Sequence, residues 1–236
     1  MSALLGVIAV SELGLLTSTA RAQEILQQQG QLNPVEDEYT FAGEAGQAVT
    51  IELSSSEFDP VLSLLSPEGE EIAVNDDYGG TLNSTIVITL PADGTYKVLA
   101  RSYSWQGGSY TITVKPASNF EITFTEALEA VQQRDFATAI AKYTEAIEFE
   151  TVHPEAYVGR ADAYLGAAYE ELGDTLTGPE ALSTETRTAI AADYEAAAEL
   201  YEAQGDPELA GSLREQASYI RTGEEPELPE ATEENS

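Results

Sequence analysis

The amino-acid sequence predicts a multidomain chain, all-β first and all-α second: an antiparallel, jelly-roll-like β-sandwich followed by a short α-helical repeat array. Up to about residue 117, apolar and polar residues alternate with period two, and Val, Ile, Thr, Tyr and Gly are frequent, as in half-buried strands. From about residue 120, Ala and aromatic residues recur at helical spacing. We therefore place the sandwich at residues 24–117 and the helical array at residues 120–221.

Eight short strands account for the first region. Segments such as 49–53 and 110–114 alternate cleanly, and turn residues such as Pro67-Glu68-Gly69 separate neighbouring segments. The predicted strands are 25–32, 38–42, 48–53, 61–65, 71–75, 84–90, 95–103 and 109–114. Since no helical pattern lies between them, we expect them to form an antiparallel sandwich of the jelly-roll type.

Five short motifs in this region resemble the bacterial pre-peptidase C-terminal domain. They are YTF at 39–41, GEAG at 43–46, FDPVL at 58–62, NDD at 75–77 and LPADGTY at 90–96, in the order expected of the family. The resemblance implies a β-sandwich of an exported protein with an accessory or adhesive role. It does not imply peptidase activity.

The second region shows a period of 34 residues. Ala127 and Ala161 are 34 positions apart, and small Ala residues occur at fixed offsets from aromatic ones such as Phe136 and Tyr143. This pattern resembles the tetratricopeptide repeat, in which small residues let paired helices approach closely. We expect five helices, with a long loop at 173–185 and with the helix at 186–204 shared between two repeats.

The tetratricopeptide resemblance implies a concave face, formed by the first helices of the repeats, that would hold an extended or helical peptide. The expected partner-binding residues on this face are Phe124, Leu128, Val131, Val158, Asp162 and Leu165. The basic clamp with which some such arrays bind a peptide carboxylate is absent, because Glu121, Phe124 and Leu128 occupy its positions. The alternative is that this face packs against the sandwich or against a second copy of the chain.

Two loop patches of the sandwich are weaker candidate sites. One offers hard oxygen ligands of the kind that Ca²⁺ prefers, and it consists of Asp59, Asn75, Asp76 and Asp77. Alternatively, Asp59 and Asp76 cap turns. The other would stack on sugar rings or grip a peptide, and it consists of Tyr78, Tyr103 and Trp105. Alternatively, these rings fold back over the edge of the sandwich.

Charge and composition limit the classes of partner and of chemistry. Acidic residues outnumber basic ones 42 to 10, for a net charge of -32, which repels nucleic acid and anionic lipid and favours basic partners. The chain has no Cys and a single His, His153, so thiol catalysis and sites built from several His residues are excluded. We expect a protein that is not an enzyme, with Ca²⁺ as the one candidate cofactor.

Both termini carry signals of their own. Apolar residues precede Ala20-Arg21-Ala22, which has the small-x-small form of a signal-peptidase site. We therefore expect a signal peptide at 1–22 and export to the periplasm or the extracellular space. The apolar stretch is too short and too interrupted to span a membrane. Residues 222–236 are rich in Glu and are expected to form a disordered acidic tail.

These expectations combine into a leading hypothesis. The chain would be an exported, non-enzymatic adaptor or scaffold that binds a protein or peptide through its helices and attaches to a surface polymer or exported enzyme through the sandwich. The alternative hypothesis is a carbohydrate- or matrix-binding module in which the repeats are only structural support. A less favoured third is an accessory subunit of a separately encoded hydrolase.

Overall fold

The computed structural model describes residues 24–32, 36–104 and 106–224. The expected signal peptide at 1–22, most of the expected acidic tail, and Trp105 lie outside the described residues. Within the described part, no helix has both the length and the apolar character needed to cross a bilayer.

In the part of the chain that the structure describes, eight strands form the first half of the fold, close to the predicted positions. They are β1 Leu26–Leu32, β2 Asp37–Gly43, β3 Ala48–Ser54, β4 Pro60–Leu65, β5 Glu71–Asn75, β6 Ser84–Thr89, β7 Gly94–Ser102 and β8 Gly108–Pro116. They divide into two four-stranded antiparallel sheets with the orders β1-β8-β3-β6 and β2-β7-β4-β5. Two antiparallel sheets were predicted and are confirmed, and this exchange of strands between sheets is the arrangement of a jelly roll.

The sandwich core follows from the alternation along each strand. In β3 the side chains of Val49, Ile51 and Leu53 are fully buried between the sheets, whereas Ser54 is exposed at the end of the strand. In β8 the inward residues are likewise Tyr110, Ile112 and Val114, and all are buried. Because side chains of a strand point alternately to the two faces, the intervening residues form the outer surface of the sheet.

Among the described residues, five α-helices form the second half, as predicted. They are α1 Asn119–Gln132, α2 Phe136–Phe149, α3 Pro154–Leu172, α4 Thr184–Gln204 and α5 Pro207–Thr222. The long loop predicted at 173–185 contains two short 3₁₀ turns, Gly173–Thr175 and Pro179–Ala181. Each helix packs against the next along the chain, and α1 also contacts α3.

The helix starts have ordinary sequence causes. Ser118 caps α1 in a reciprocal capping box with Glu121, and the side chains of Asp135 and Asp206 accept hydrogen bonds from main-chain N–H groups that start α2 and α5. Pro154 stands in the first turn of α3, where its missing N–H costs nothing. Since Asp135 and Asp206 have equivalent roles, the α1–α2 and α4–α5 pairs begin their second helices in the same way.

The two halves meet along α1. Lys115, on the outer face of β8, lies 2.8 Å from a Glu52 carboxylate oxygen and 3.0 Å from one of Glu121. Further along, α1 contacts β6, the strand at one edge of its sheet. A helix laid beside an edge strand protects it from pairing with another chain, and α1 thus contacts the sandwich both near its start and further along its length.

Candidate binding groove

A groove of about 400 Å³ opens between the helices, on the side where the sandwich meets them. Its walls come from Leu128 and Val131 of α1, Val158 of α3, and Leu209 and Leu213 of α5. Leu128 and Val131 share a face because residues three and four apart on a helix are neighbours, and the same holds for Leu209 and Leu213. The groove is therefore lined by apolar side chains from three helices.

Aromatic rings form the floor of the groove. Phe124 is only 2% exposed; its ring stacks on Phe120 with centroids 5.5 Å apart and meets the edge of Tyr143 at 5.7 Å. Tyr143 lies below α3 at Gly159, where a Cβ atom would stand 2.5 Å from the tyrosine ring. A larger residue at 159 would therefore have to displace the Tyr143 ring or the helix, and the glycine lets the ring pack directly against α3.

Two carboxylates, Glu155 and Asp162, give the groove its charge. Asp162 accepts a hydrogen bond from the Tyr194 hydroxyl at 2.9 Å, yet the surrounding groove removes enough water to raise the pKa of its carboxyl group above the ordinary value. The pKa of Tyr143 is raised to about 12, by burial first and then by the charge of Asp162. No Lys, Arg or His is among the described residues that line the groove.

The sandwich supplies one rim of the groove through the loop between β5 and β6. The Tyr78 hydroxyl lies 2.9 Å from the Thr125 hydroxyl of α1, and its ring meets the edge of Phe124 with centroids 5.6 Å apart. Burial raises the pKa of Tyr78 well above its ordinary value. Gly79 and Gly80 follow with φ of 60° and 82°, a left-handed conformation that glycine adopts without strain, and both line the groove.

A second hollow of about 340 Å³ lies on the other side of the α1 ridge, between that helix and the edge strands β5 and β6. Val74 and Val87 contribute to it, and it shares Gly79, Leu128 and Val131 with the groove. Val74 is 58% exposed there. The two hollows thus lie on either side of α1 and have Leu128 and Val131 as a common wall.

Five of the six residues predicted to bind a partner line this groove, namely Phe124, Leu128, Val131, Val158 and Asp162. Leu165 does not; it packs against the second helical core, which is centred on α4 and α5. Phe124 is a core residue, so changing it would unfold the site rather than test binding. Partner binding by the other residues stays a prediction.

Sequence reasoning missed the contributions of α5 and of the sandwich loop. Leu209 and Leu213 stand four positions apart, a spacing that indicates a shared apolar face of a helix. The Ala residues of α5 predicted only the side of the helix that packs against its neighbours. Gly79 and Gly80 could not have been placed there from sequence alone, because the relative position of sandwich and helices is a long-range property.

The structure describes two residues of the aromatic patch predicted on the sandwich, Tyr78 and Tyr103, and they have different environments. Tyr78 is half-buried against α1, whereas Tyr103 is 68% exposed on the loop between β7 and β8. Trp105 lies outside the described residues. Tyr78 is therefore unavailable as a stacking platform, because its ring packs on Phe124 at the junction with the helices.

Among the described residues, the predicted Ca²⁺ ligands Asp59, Asn75, Asp76 and Asp77 are not grouped so as to hold a metal ion. Asn75 uses its amide internally: Oδ1 accepts from the Thr85 N–H at 3.0 Å, and Nδ2 donates to the Asp77 carbonyl at 2.9 Å. Asp76 and Asp77 are exposed. Across the described ranges, no group of three or more His, Cys, Asp or Glu side chains is arranged to hold a metal ion. Asn75 instead ties β5 to β6.

Comparison with known proteins bears on the sandwich. The model of the family "Bacterial pre-peptidase C-terminal domain" matches residues 35–102, which confirms that part of the predicted resemblance. No curated protein matches the chain. The tetratricopeptide resemblance of the helices stays a prediction.

Several solved structures share a weak likeness with the chain. PliG from Aeromonas hydrophila, a periplasmic inhibitor of g-type lysozyme, is 21% identical over 41% of this chain and 88% of its own, with a TM-score of 0.34. The pre-peptidase C-terminal domain of a Bacillus anthracis collagenase is 19% identical over 38% and 88%, with a TM-score of 0.32. A Bacillus licheniformis lipase in its propeptide form is 19% identical over 47% of this chain but only 25% of its own, with a TM-score of 0.32.

Proposed function

We propose that this protein is an exported, non-enzymatic adaptor whose groove binds an apolar segment of a protein partner that also carries a Lys or Arg. The observation that carries the proposal is the composition of the groove: apolar walls from three helices together with two carboxylates and no lining cation among the described residues. The helices then act as a tetratricopeptide-like array, and the sandwich acts as an accessory domain that completes one rim.

The apolar walls supply the attraction for the segment. Leu128, Val131 and Val158 are half-buried, and Leu209 is 38% exposed, so each retains area that a partner would cover. Burying one such side chain contributes up to about 1.5 to 3 kcal/mol, from which the cost of ordering a peptide must be subtracted. Two or three apolar anchors are therefore needed for useful affinity.

The carboxylates determine which apolar segment is preferred. Glu155 and Asp162 lie within the groove of a chain whose net charge is -32. A basic side chain on the partner would be drawn toward them, whereas an acidic one would be repelled. A cation would also satisfy Asp162, whose charged form is disfavoured by its surroundings.

The length of the apolar surface favours a peptide over a small molecule. The groove of about 400 Å³ and the hollow of about 340 Å³ beside β5 and β6 lie on the two sides of Leu128 and Val131. Enclosed small-molecule sites bury most of their ligand, but this surface is open and elongated around α1. An extended segment that crosses the α1 ridge fits that shape.

Export of the protein is proposed from its sequence and not from the geometry of the groove. It is supported by the Ala20-Arg21-Ala22 pattern after an apolar stretch and by the family match over residues 35–102. We expect protein recovered from the exported fraction to begin at Gln23, which N-terminal sequencing would test. An unprocessed N-terminus in that fraction, or protein confined to the cytoplasm, would contradict this part.

The binding proposal is tested with a displayed library of random peptides selected on the immobilised chain. We expect enrichment of peptides with several apolar residues and at least one Lys or Arg. Binding of the selected peptides should weaken by about tenfold or more in the double variant Val158→Ala and Leu209→Ala, since two apolar contacts are lost. The matched control is Tyr169→Ala, because Tyr169 is 59% exposed on α3 and outside the lining.

A third variant tests the charge preference. Asp162→Asn should reduce the affinity for basic peptides while leaving an uncharged analogue of the same peptide unaffected. Absence of enrichment, or enrichment that survives the groove variants unchanged, would rule out the groove as the binding site.

A further inference from the structure

The outer face of the sheet β1-β8-β3-β6 is divided into a charged part and an uncharged part. Near the start of α1 it carries Glu52 and Lys115, which form an ion pair with Nζ 2.8 Å from the carboxylate. At the opposite end of the strands the same face opens into a shallow hollow of about 750 Å³. None of the ten residues that line this hollow is charged, although 22% of the chain is Asp, Glu, Lys or Arg.

The strand register arranges the hollow as two rows of polar side chains. Gln29 of β1, Thr111 of β8 and Ser54 of β3 are direct cross-strand neighbours. Gln31 and Ser109 form the next row. Because adjacent strands are about 4.8 Å apart, the first row spans about 10 Å, and the rows are about 7 Å apart along the strands. The result is a regular surface of hydroxyl and amide groups.

Some polar side chains around the hollow are committed to the fold. The Ser55 hydroxyl donates to the Ser109 carbonyl at 2.9 Å, and the Asn83 Oδ1 atom accepts from the Ser55 N–H at 3.2 Å. By contrast, the side chains of Gln29, Ser54 and Thr111 make no hydrogen bond to another described residue. The first row therefore presents donors and acceptors that no other described residue satisfies.

We propose that this hollow is a second binding site, for a neutral polysaccharide. A polyhydroxylated, uncharged polymer both donates and accepts hydrogen bonds, as the side chains of the row do. It is also the class of surface polymer that a chain of net charge -32 does not repel. A protein partner fits less well, because the centres of protein interfaces are rich in aromatic and apolar side chains, and two copies of this acidic chain repel each other.

The site is independent of the groove between the helices. Its lining residues come from β1, β3, β8 and neighbouring loops, and none of them lines the groove. The chain would thus hold a neutral polymer on the sandwich and a protein segment among the helices. The polymer site does not use the aromatic residues proposed from sequence.

Native gel electrophoresis through gels that contain dissolved polysaccharide tests the proposal directly. The acidic chain migrates rapidly toward the anode, so binding to a stationary neutral polymer slows it. The probes are a β-glucan, a galactomannan and a soluble starch, with anionic alginate as the comparison polymer. We expect retardation by at least one neutral polymer, at low and high salt alike, because hydrogen bonds to a neutral ligand are not screened as ion pairs are.

Variants locate the binding surface. The double variant Gln29→Ala and Ser54→Ala should bind roughly thirtyfold more weakly, since two hydrogen bonds to the polymer are removed. Thr111→Val removes the central hydroxyl while keeping a β-branched side chain, and it should weaken binding without unfolding the strand. Gln27→Ala, one row further along β1, is the matched control and should bind normally.

The outcomes separate this proposal from the groove. The pair Val158→Ala and Leu209→Ala should leave retardation unchanged, even if peptide binding is lost. Failure of all three neutral polymers to retard the folded chain would overturn the polymer site. So would equal retardation of Thr111→Val and the unmodified chain, or retardation that disappears at high salt.

Discussion

The sandwich and the helical half of this protein bury different kinds of side chain. Ten of the twelve largest fully buried side chains in the described residues belong to the sandwich, and most are Leu, Ile or Val. The helices bury thirteen of the fourteen buried Ala residues instead. The sandwich is therefore stabilised mainly by apolar area removed from water, whereas the helices depend on the close approach that small residues allow.

The helical half also contains a buried ion pair, between Arg160 of α3 and Asp193 of α4. The guanidinium group donates from Nη2 to Oδ1 at 2.6 Å and from Nε to Oδ2 at 2.9 Å. It reaches α2 as well, donating from Nη1 to the Thr144 hydroxyl at 3.1 Å. The Asp193 side chain is only 6% exposed. One polar cluster thus holds three helices together. We therefore expect different kinds of substitution to destabilise the sandwich and the helical half.

The largest effect is expected from breaking that pair. Asp193→Ala leaves the Arg160 guanidinium buried without its carboxylate, and removing one partner of such a pair costs about 3 to 5 kcal/mol. Urea unfolding followed by far-UV circular dichroism should show a lower midpoint for the helices. The control is Glu170→Ala, which removes the exposed pair with Arg134 and should change stability by less than about 1 kcal/mol.

The corresponding change in the sandwich is Leu62→Ala. Leu62 is fully buried in β4, so its truncation loses apolar contact and leaves a cavity, at a cost of about 2 to 5 kcal/mol. Trp105, the single Trp of the chain, lies between β7 and β8 in the sequence, so its fluorescence is followed as the signal of the first half. We expect the fluorescence transition to move in Leu62→Ala and the circular dichroism transition to move in Asp193→Ala. Equal shifts of both signals in both variants would show that the halves unfold as one unit.

A smaller effect is expected at the junction between the halves. Tyr78→Phe removes the hydroxyl that lies 2.9 Å from Thr125 but keeps the ring against Phe124. The loss of one hydrogen bond costs about 0.5 to 1.5 kcal/mol. In this variant, the gap between the denaturation midpoints measured by fluorescence and by circular dichroism should become wider, since the two halves are less firmly joined. The control is Tyr103→Phe, which changes an exposed tyrosine. An unchanged gap between the two midpoints in Tyr78→Phe would contradict the role of the Tyr78 hydroxyl in joining the two halves.

The same contrast explains how much of the molecule could be read from its sequence. Strand and helix positions are local properties, carried by alternation in segments such as 49–53 and by caps such as Asp135, and they were predicted closely. The residues that α1 and α3 contribute to the walls of the groove were also named from the sequence, because Leu128, Val131 and Val158 follow helical spacing. Tyr78 was misplaced because its environment depends on α1, which is distant in sequence. A cluster of carboxylates in the sequences of loops does not indicate whether their oxygen atoms converge on one point.

The smallest predicted effect is a pH dependence at the start of α3. His153 stacks on Phe120 with ring centroids 3.9 Å apart, and its Nδ1 and Nε2 atoms lie 3.0 Å from Glu155 and 3.2 Å from Glu150. These carboxylates, Glu155 most strongly, raise the pKa of His153 above the ordinary value of 6.5. Because the folded-state pKa is the higher one, the protonated ring stabilises the fold, fully so at pH values below about 6.5.

That stabilisation should disappear as the pH rises through the raised pKa. The urea midpoint of the helices is therefore expected to fall by a small amount between mildly acidic and mildly alkaline pH. His153→Gln keeps a polar side chain that cannot titrate. Since His153 is the only His in the chain, the variant should lose this pH-dependent step in the urea midpoint. A step that persists in His153→Gln would have to arise from another group. A step in the opposite direction would mean that desolvation by Phe120, which lowers the pKa, outweighs the two carboxylates.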